Sequence, residues 1–123
     1  KLNHGTGVDV WPQEDVDGEV FVSEIHSLKD GVPHGYEWWF ASSKQDLVHE
    51  RYWHLGRFHG IERVWNSKGR LRRGYPKFFI ADQTVSKQKY ARMAQLDKTL
   101  PVFQEKDNLP GRILPSEIKK PVR

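Results

Sequence analysis

Residues 31–40 read GVPHGYEWWF and residues 56–65 read GRFHGIERVW. At an offset of 25 residues, Gly31, His34, Gly35, Glu37 and Phe40 fall on Gly56, His59, Gly60, Glu62 and Trp65. Five matches in ten positions, each at a distinctive residue type, mark an internal repeat. A repeat of this length suits one two-stranded β-hairpin. A lone hairpin cannot bury its own apolar face, so copies must stack side by side into one sheet. Within each copy the glycines permit positive φ at turns and close approach between strands. Histidine before glycine can bond a neighbouring turn and stack on a ring.

Outward from the repeat, the first eighty residues carry strand signals. Val20 to Leu28, Tyr36 to Phe40, Leu47 to Leu55, Ile61 to Trp65 and Leu71 to Ile80 are rich in aromatic and β-branched residues. Turn-formers separate them at Asp17-Gly18, Asp30-Gly31, Ser42-Ser43-Lys44, Gly56 and Asn66-Ser67-Lys68-Gly69. Such short connections predict antiparallel neighbours, because parallel strands need long crossovers. His4-Gly5 followed by Trp11 suggests a third, degenerate copy. After Asp82 the character changes. Ser86 can cap a helix over Lys87 to Leu96, and Pro101, Pro110, Pro115 and Pro121 punctuate an extended tail strapped down through Leu100, Val102 and Phe103.

The predicted fold is therefore mainly β: an antiparallel meander of β-hairpin repeats with one C-terminal α-helix and an extended Pro-rich tail. The expected division of the single domain 1–123 is a degenerate repeat over 1–30, repeats over 31–55 and 56–82, a helix over 86–97 and a tail over 98–123. The order Tyr52, Gly56, His59-Gly60, Glu62, Trp65, Gly69, Leu71 resembles a MORN repeat, in the variant form found in YwqK-type bacterial antitoxin proteins. The segment from Gly31 to Leu55 resembles a second, looser copy with an expanded polar loop at Ala41 to Asp46. That resemblance implies a curved, non-catalytic sheet serving as a binding surface, and within that class an immunity or antitoxin role in a bacterial cytoplasm.

The 123 residues hold no cysteine, which removes disulfides and thiolate metal sites and fits a reducing compartment. Apolar runs stop at three or four residues, as at Val20-Phe21-Val22, far short of the ~20 that a spanning helix needs. The chain opens at Lys1 rather than methionine, which points to a trimmed start. Its net charge of +4 hides an asymmetry. Residues 1–50 carry three basic and ten acidic side chains, whereas residues 63–92 carry nine basic side chains against Asp82 alone. The two parts either pair with each other or leave a basic face for an acidic partner.

Catalytic and cofactor chemistry lacks its parts. His49-Glu50 has its next histidine at His54, and a strand places those two histidines on opposite faces, so no metal or cofactor is expected. No Gly-x-Ser-x-Gly elbow or phosphate-cradling glycine loop appears. Glu37 and Glu62 could act as paired carboxylates if they share a pocket, but pairing with Arg51, Arg63 or Arg73 is the simpler reading. Adjacent Trp38 and Trp39 point to opposite faces of a strand, so one of them needs cover or becomes an interface anchor. The expected function is a non-enzymatic protein-binding module whose surface centres on Trp38, Arg57, Arg63, Arg70, Arg72 and Arg73. The alternative is a basic nucleic-acid-binding module using Arg70 to Arg73 with nearby rings.

Overall fold

The computed structural model describes residues 6–111. Its strands are β1 (Gly7–Glu14), β2 (Val20–Lys29), β3 (Val32–Phe40), β4 (Leu47–His54), β5 (Arg57–Phe58), β6 (Ile61–Val64), β7 (Lys77–Ile80) and β8 (Gln83–Val85). They form one antiparallel sheet in the order β1-β2-β3-β4-β6-β7-β8, with β5 pairing β4. Each strand lies beside its sequence neighbour, which makes the sheet the meander that the short turns require. Helix α1 (Lys87–Leu96) follows, N-capped by Ser86, whose hydroxyl accepts the Lys89 N–H at 3.1 Å. A single 3₁₀ turn spans Glu105–Asn108.

The repeat has a backbone cause. Three tight turns close one end of the sheet, and their central residues take positive φ: Asp30-Gly31 (51° and 83°), Leu55-Gly56 (49° and 85°) and Ala81-Asp82 (47° and 72°). Such primed turns match the strand twist and permit two-residue hairpins. They recur every 25 or 26 residues, the period seen in the sequence. The histidine of each copy stabilises the next turn. His34 Nδ1 accepts the N–H of Leu55 at 3.0 Å, and His59 Nδ1 accepts that of Ala81 at 3.1 Å. Leu55 and Ala81 are non-glycine residues in the left-handed region, so this bond helps hold an unfavourable backbone. The following glycine has a separate task. A Cβ on Gly60 would stand 2.7 Å from the Cβ of Tyr52, and one on Gly35 would stand 3.2 Å from that of Ser27.

Register separates the two faces. Ile25, Trp38, Glu50 and Arg63 are successive cross-strand partners, and all four are buried. On this inner face Val22, Ile25, Trp38, Phe40, Leu47 and Trp65 form one core cluster. A second cluster joins Ile61 and Phe78 to Tyr90 and Ala94 of α1 and to Leu100 of the following segment. Burial of these side chains stabilises the fold by roughly 1.5–3 kcal/mol for each large one.

Several boundaries differ from expectation. Gly7–Glu14 is an edge strand paired with β2 along its length, with a register shift between Trp11 and Pro12, although its sequence carries little of the repeat. His4 and Gly5 lie outside the described residues. Only Lys77–Ile80 of the expected strand from Leu71 to Ile80 is strand. Leu71 makes one isolated bridge to Trp65, and a loop with a turn from Arg72 to Tyr75 follows. The cause is local: Gly74 takes φ 89°, which a regular ladder does not accommodate. The tail is strapped where expected at Leu100 and Phe103, but Val102 is exposed. Residues 112–123, including Pro115 and Pro121, lie outside the described residues.

Candidate functional site

The strand ends sort the basic residues before any chemistry is considered. Arg57 follows the Leu55-Gly56 turn, at the tight-turn end of the sheet. Arg70, Arg72 and Arg73 occupy the long β6–β7 loop at the opposite end. Trp38 and Arg63 are on neither surface, each being only 3% exposed on the inner face. The expected six-residue surface is therefore not one patch. Arg72 and Arg73 fall in the expected strand from Leu71 to Ile80, but residues 72–76 are loop.

The buried pair has its own role. Glu50 is fully buried, accepting the Trp38 indole N–H at 2.9 Å and an Arg63 Nη1–H at 2.9 Å. Arg63 Nε–H also donates to Asn108 Oδ1 at 2.8 Å, and the Trp65 indole donates to the Asn108 carbonyl at 2.7 Å. These bonds fasten the 3₁₀ turn to the inner face. Arg63 thus answers an acid of the N-terminal half, as the pairing reading of the charge asymmetry holds.

No such answer exists for the loop cations. Lys68, Arg70, Arg72 and Arg73 are exposed and form no ion pair among the described residues. The loop that carries them is nonetheless pinned. Asn66 Oδ1 accepts the N–H groups of Lys68 and Arg70, Arg72 N–H reaches the Val64 carbonyl at 2.8 Å, and Leu71 bridges Trp65. Of the aromatic neighbours expected for base stacking, only the half-buried Tyr75 shares the loop. Trp65 and Phe78 are buried, Trp53 and Phe58 pair near the tight-turn end, and Tyr75 carries Lys77 over its ring.

The opposite, outer face carries a feature that sequence reasoning did not assemble. Asp9, His26, Glu37 and Arg51 are successive cross-strand partners over β1 to β4. Glu62 continues the row by accepting Arg51 Nε–H at 3.1 Å, and Lys77 pairs with Glu62 in register. Acid and base alternate across six strands. The next row reads Trp11, Glu24, Trp39, His49 and Val64. The signal was available as the 25-residue offset, since His26 and Glu37 correspond to Arg51 and Glu62.

Contacts lock this face together. The His26 ring bridges Glu37 through Nδ1 and Glu24 through Nε2, the latter at 2.9 Å. Trp53 donates its indole N–H to Glu37 at 2.9 Å, and His49 Nε2 lies 2.8 Å from Glu62. The Arg51 guanidinium stands over both Trp39 and Phe58, about 5 Å from each ring centre. The bond to Glu37 raises the pKa of His26 against the opposing effect of burial. Burial alone would raise Glu37, but bonds from His26 and Trp53 outweigh it and hold its pKa below the ordinary value. His49 and Arg51 hold Glu62 down in the same way. Glu37 and Glu62 share a face, as an acid–base pair would require, yet both are held ionised and Arg51 stands between them. The arrangement supplies no carboxylic acid to act as proton donor. Among the described residues no cluster of three or more histidine and acidic side chains is arranged to hold a metal ion, and no helix is long and apolar enough to cross a membrane. Comparison with family models, with curated proteins and with solved structures finds no match to this chain.

Proposed function

We propose that this protein is a non-enzymatic binding module that engages an acidic protein partner through its β6–β7 loop. One observation carries the reading: Lys68, Arg70, Arg72 and Arg73 crowd a pinned, exposed loop and form no ion pair among the described residues. Like charges held close on a fixed backbone repel one another, and an acidic surface relieves that repulsion and speeds encounter. The immunity or antitoxin version of this role rests on the resemblance of the repeat to MORN-type sequences. The buried places of Trp38 and Arg63 take them out of the proposed surface, and Arg57 lies at the far end of the strands.

A nucleic acid is the second reading, supported by the same four cations but by no exposed ring among them. A competition assay separates the two. The wild type and an Arg70→Glu/Arg72→Glu variant are titrated with fluorescent poly-glutamate and with a single-stranded DNA of matched charge. Preference for the polypeptide, lost in the variant, supports the proposal. DNA binding that dominates and collapses between about 50 and 200 mM salt supports the second reading. No binding of either probe by the wild type removes the loop as a polyanion site.

A further inference from the structure

The two copies of the repeat place different side chains in one setting, and the difference leaves a space. In the second copy, Arg51 lies between the carboxylates of Glu37 and Glu62, with its guanidinium over Trp39 and Phe58. In the first copy the corresponding residue is His26, between Asp9 and Glu37. Histidine is shorter, and its two ring nitrogens are committed to Glu37 and Glu24. Beside it lies a cavity of about 210 Å³, lined by Trp11, Leu28, Pro33 and Trp53 as apolar walls and by Asp9, His26 and Glu37 as polar ones.

Shape and charge both restrict what such a cavity takes. Drug-sized ligands need roughly 300–1,000 Å³, so this space suits a single side chain or a small molecule. Its two acidic walls, Asp9 and Glu37, are buried and outnumber the one basic group of the lining, the His26 imidazole bonded to Glu37; no lysine or arginine lines it. Indole faces attract cations through their negative quadrupole, and carboxylates add charge of the same attraction. Trp11, one of the apolar walls, is 40% exposed. We infer that this cavity between β1, β2, β3 and β4 binds an organic cation on an apolar stem, an alkylammonium or guanidinium group seated beside His26 in the space that a longer side chain such as Arg51 would fill. The inference is independent of the basic loop, which lies in the β6–β7 connection.

The test uses the full chain, with the indole N–H signals of Trp11 and Trp53 as reporters and n-butylammonium chloride as probe at constant ionic strength. The expected result is a saturable shift of both signals, while n-butanol at the same concentrations moves neither. Trp11→Ala should weaken the probe about fivefold, the worth of one partly exposed cation–π contact. His26→Arg should abolish binding, because the chain's own guanidinium then occupies the cavity. Unshifted signals of the remaining indoles verify that each variant is folded. A blocked lysine tripeptide run beside the free amine identifies the source. Tighter binding of the peptide assigns the group to a protein partner, and tighter binding of the amine assigns it to a small metabolite; both support the cavity as a cation site. Equal response to n-butanol and n-butylammonium, no response to either, or undiminished binding in His26→Arg overturns the inference.

Discussion

The two copies of the hairpin repeat share their backbone devices and differ in almost everything between them. His34 and His59 each accept a turn N–H, and Gly35 and Gly60 each lie under a side chain of the preceding strand. Between these fixed points, Ile25 is answered by Glu50, Trp38 by Arg63, Glu24 by His49 and His26 by Arg51. The first copy buries an apolar pair on the inner face, and the second buries an ion pair there. On the outer face the second copy fills its own cation site, whereas the first leaves a cavity. Positions that satisfy the backbone are held by geometry, and positions that only need to fill a face are free to acquire different chemistry.

The largest expected effect breaks the ion pair of the second copy. Arg63→Met takes the guanidinium away from the buried Glu50 carboxylate, and should cost about 3–5 kcal/mol in urea unfolding. The double variant Glu50→Ile/Arg63→Met, which brings the second copy towards the apolar character of the first, should recover most of that loss. An equal or larger loss in the double variant would show that the pair is not energetically coupled.

Next come the glycines, which look alike in sequence and are required for different reasons. Gly60→Ala and Gly35→Ala should each cost about 1–3 kcal/mol, the range for forcing a carbon into a packed site or a strained backbone. At Gly60 the obstacle is Tyr52, so trimming Tyr52 to Ala should reduce the penalty. At Gly35 the φ of 105° remains an obstacle, so Ser27→Gly should rescue little.

A smaller effect distinguishes two histidines by the sign of their pH dependence. His26 titrates above its ordinary value of 6.5, so its contribution is fully present below that value and is lost as pH rises through its folded pKa. His59 is pushed below 6.5, chiefly by burial, so its contribution is present above 6.5 and is lost as pH falls through its folded pKa. Unfolding of His26→Gln and His59→Gln across pH 5 to 8 should therefore show differences from wild type that grow in opposite directions. Each difference should be on the order of 1 kcal/mol, the net worth of a hydrogen bond. The smallest effect is expected at the loop. Arg70→Glu/Arg72→Glu should leave stability within about 0.5 kcal/mol of wild type, as surface changes do. A fall of several kcal/mol there would mean that the loop cations are structural.

The period, the turns at Asp30-Gly31 and Gly56, the helix and its cap were legible in the residues themselves, because each is a local requirement; the Ala81-Asp82 turn and β8, which carry no glycine or apolar run, were not. Asp30-Gly31 must turn, Ser86 can cap, and a histidine recurring every 25 residues must meet the same neighbour each time. The edge strand Gly7–Glu14 was less legible, since one strand pairs through its backbone and needs little pattern of its own. The outcome for Trp38 and Trp39 was not legible at all. Alternation puts them on opposite faces, but both faces of this sheet carry rings and charges, so sequence alone does not say which one is sealed. Contacts distant in the chain decide it: Tyr90, Leu100 and Asn108 pack or bond against the face of Ile61, Arg63, Trp65 and Phe78. That choice buried Arg63 and Trp65 and left His26, Glu37, Arg51 and Trp53 on the other face. The sequence by itself determined a hairpin repeat and its spacing, because turn geometry and strand period act within a few residues. Only the tertiary structure decided which chemistry meets solvent, because burial depends on which distant segment arrives to cover a face.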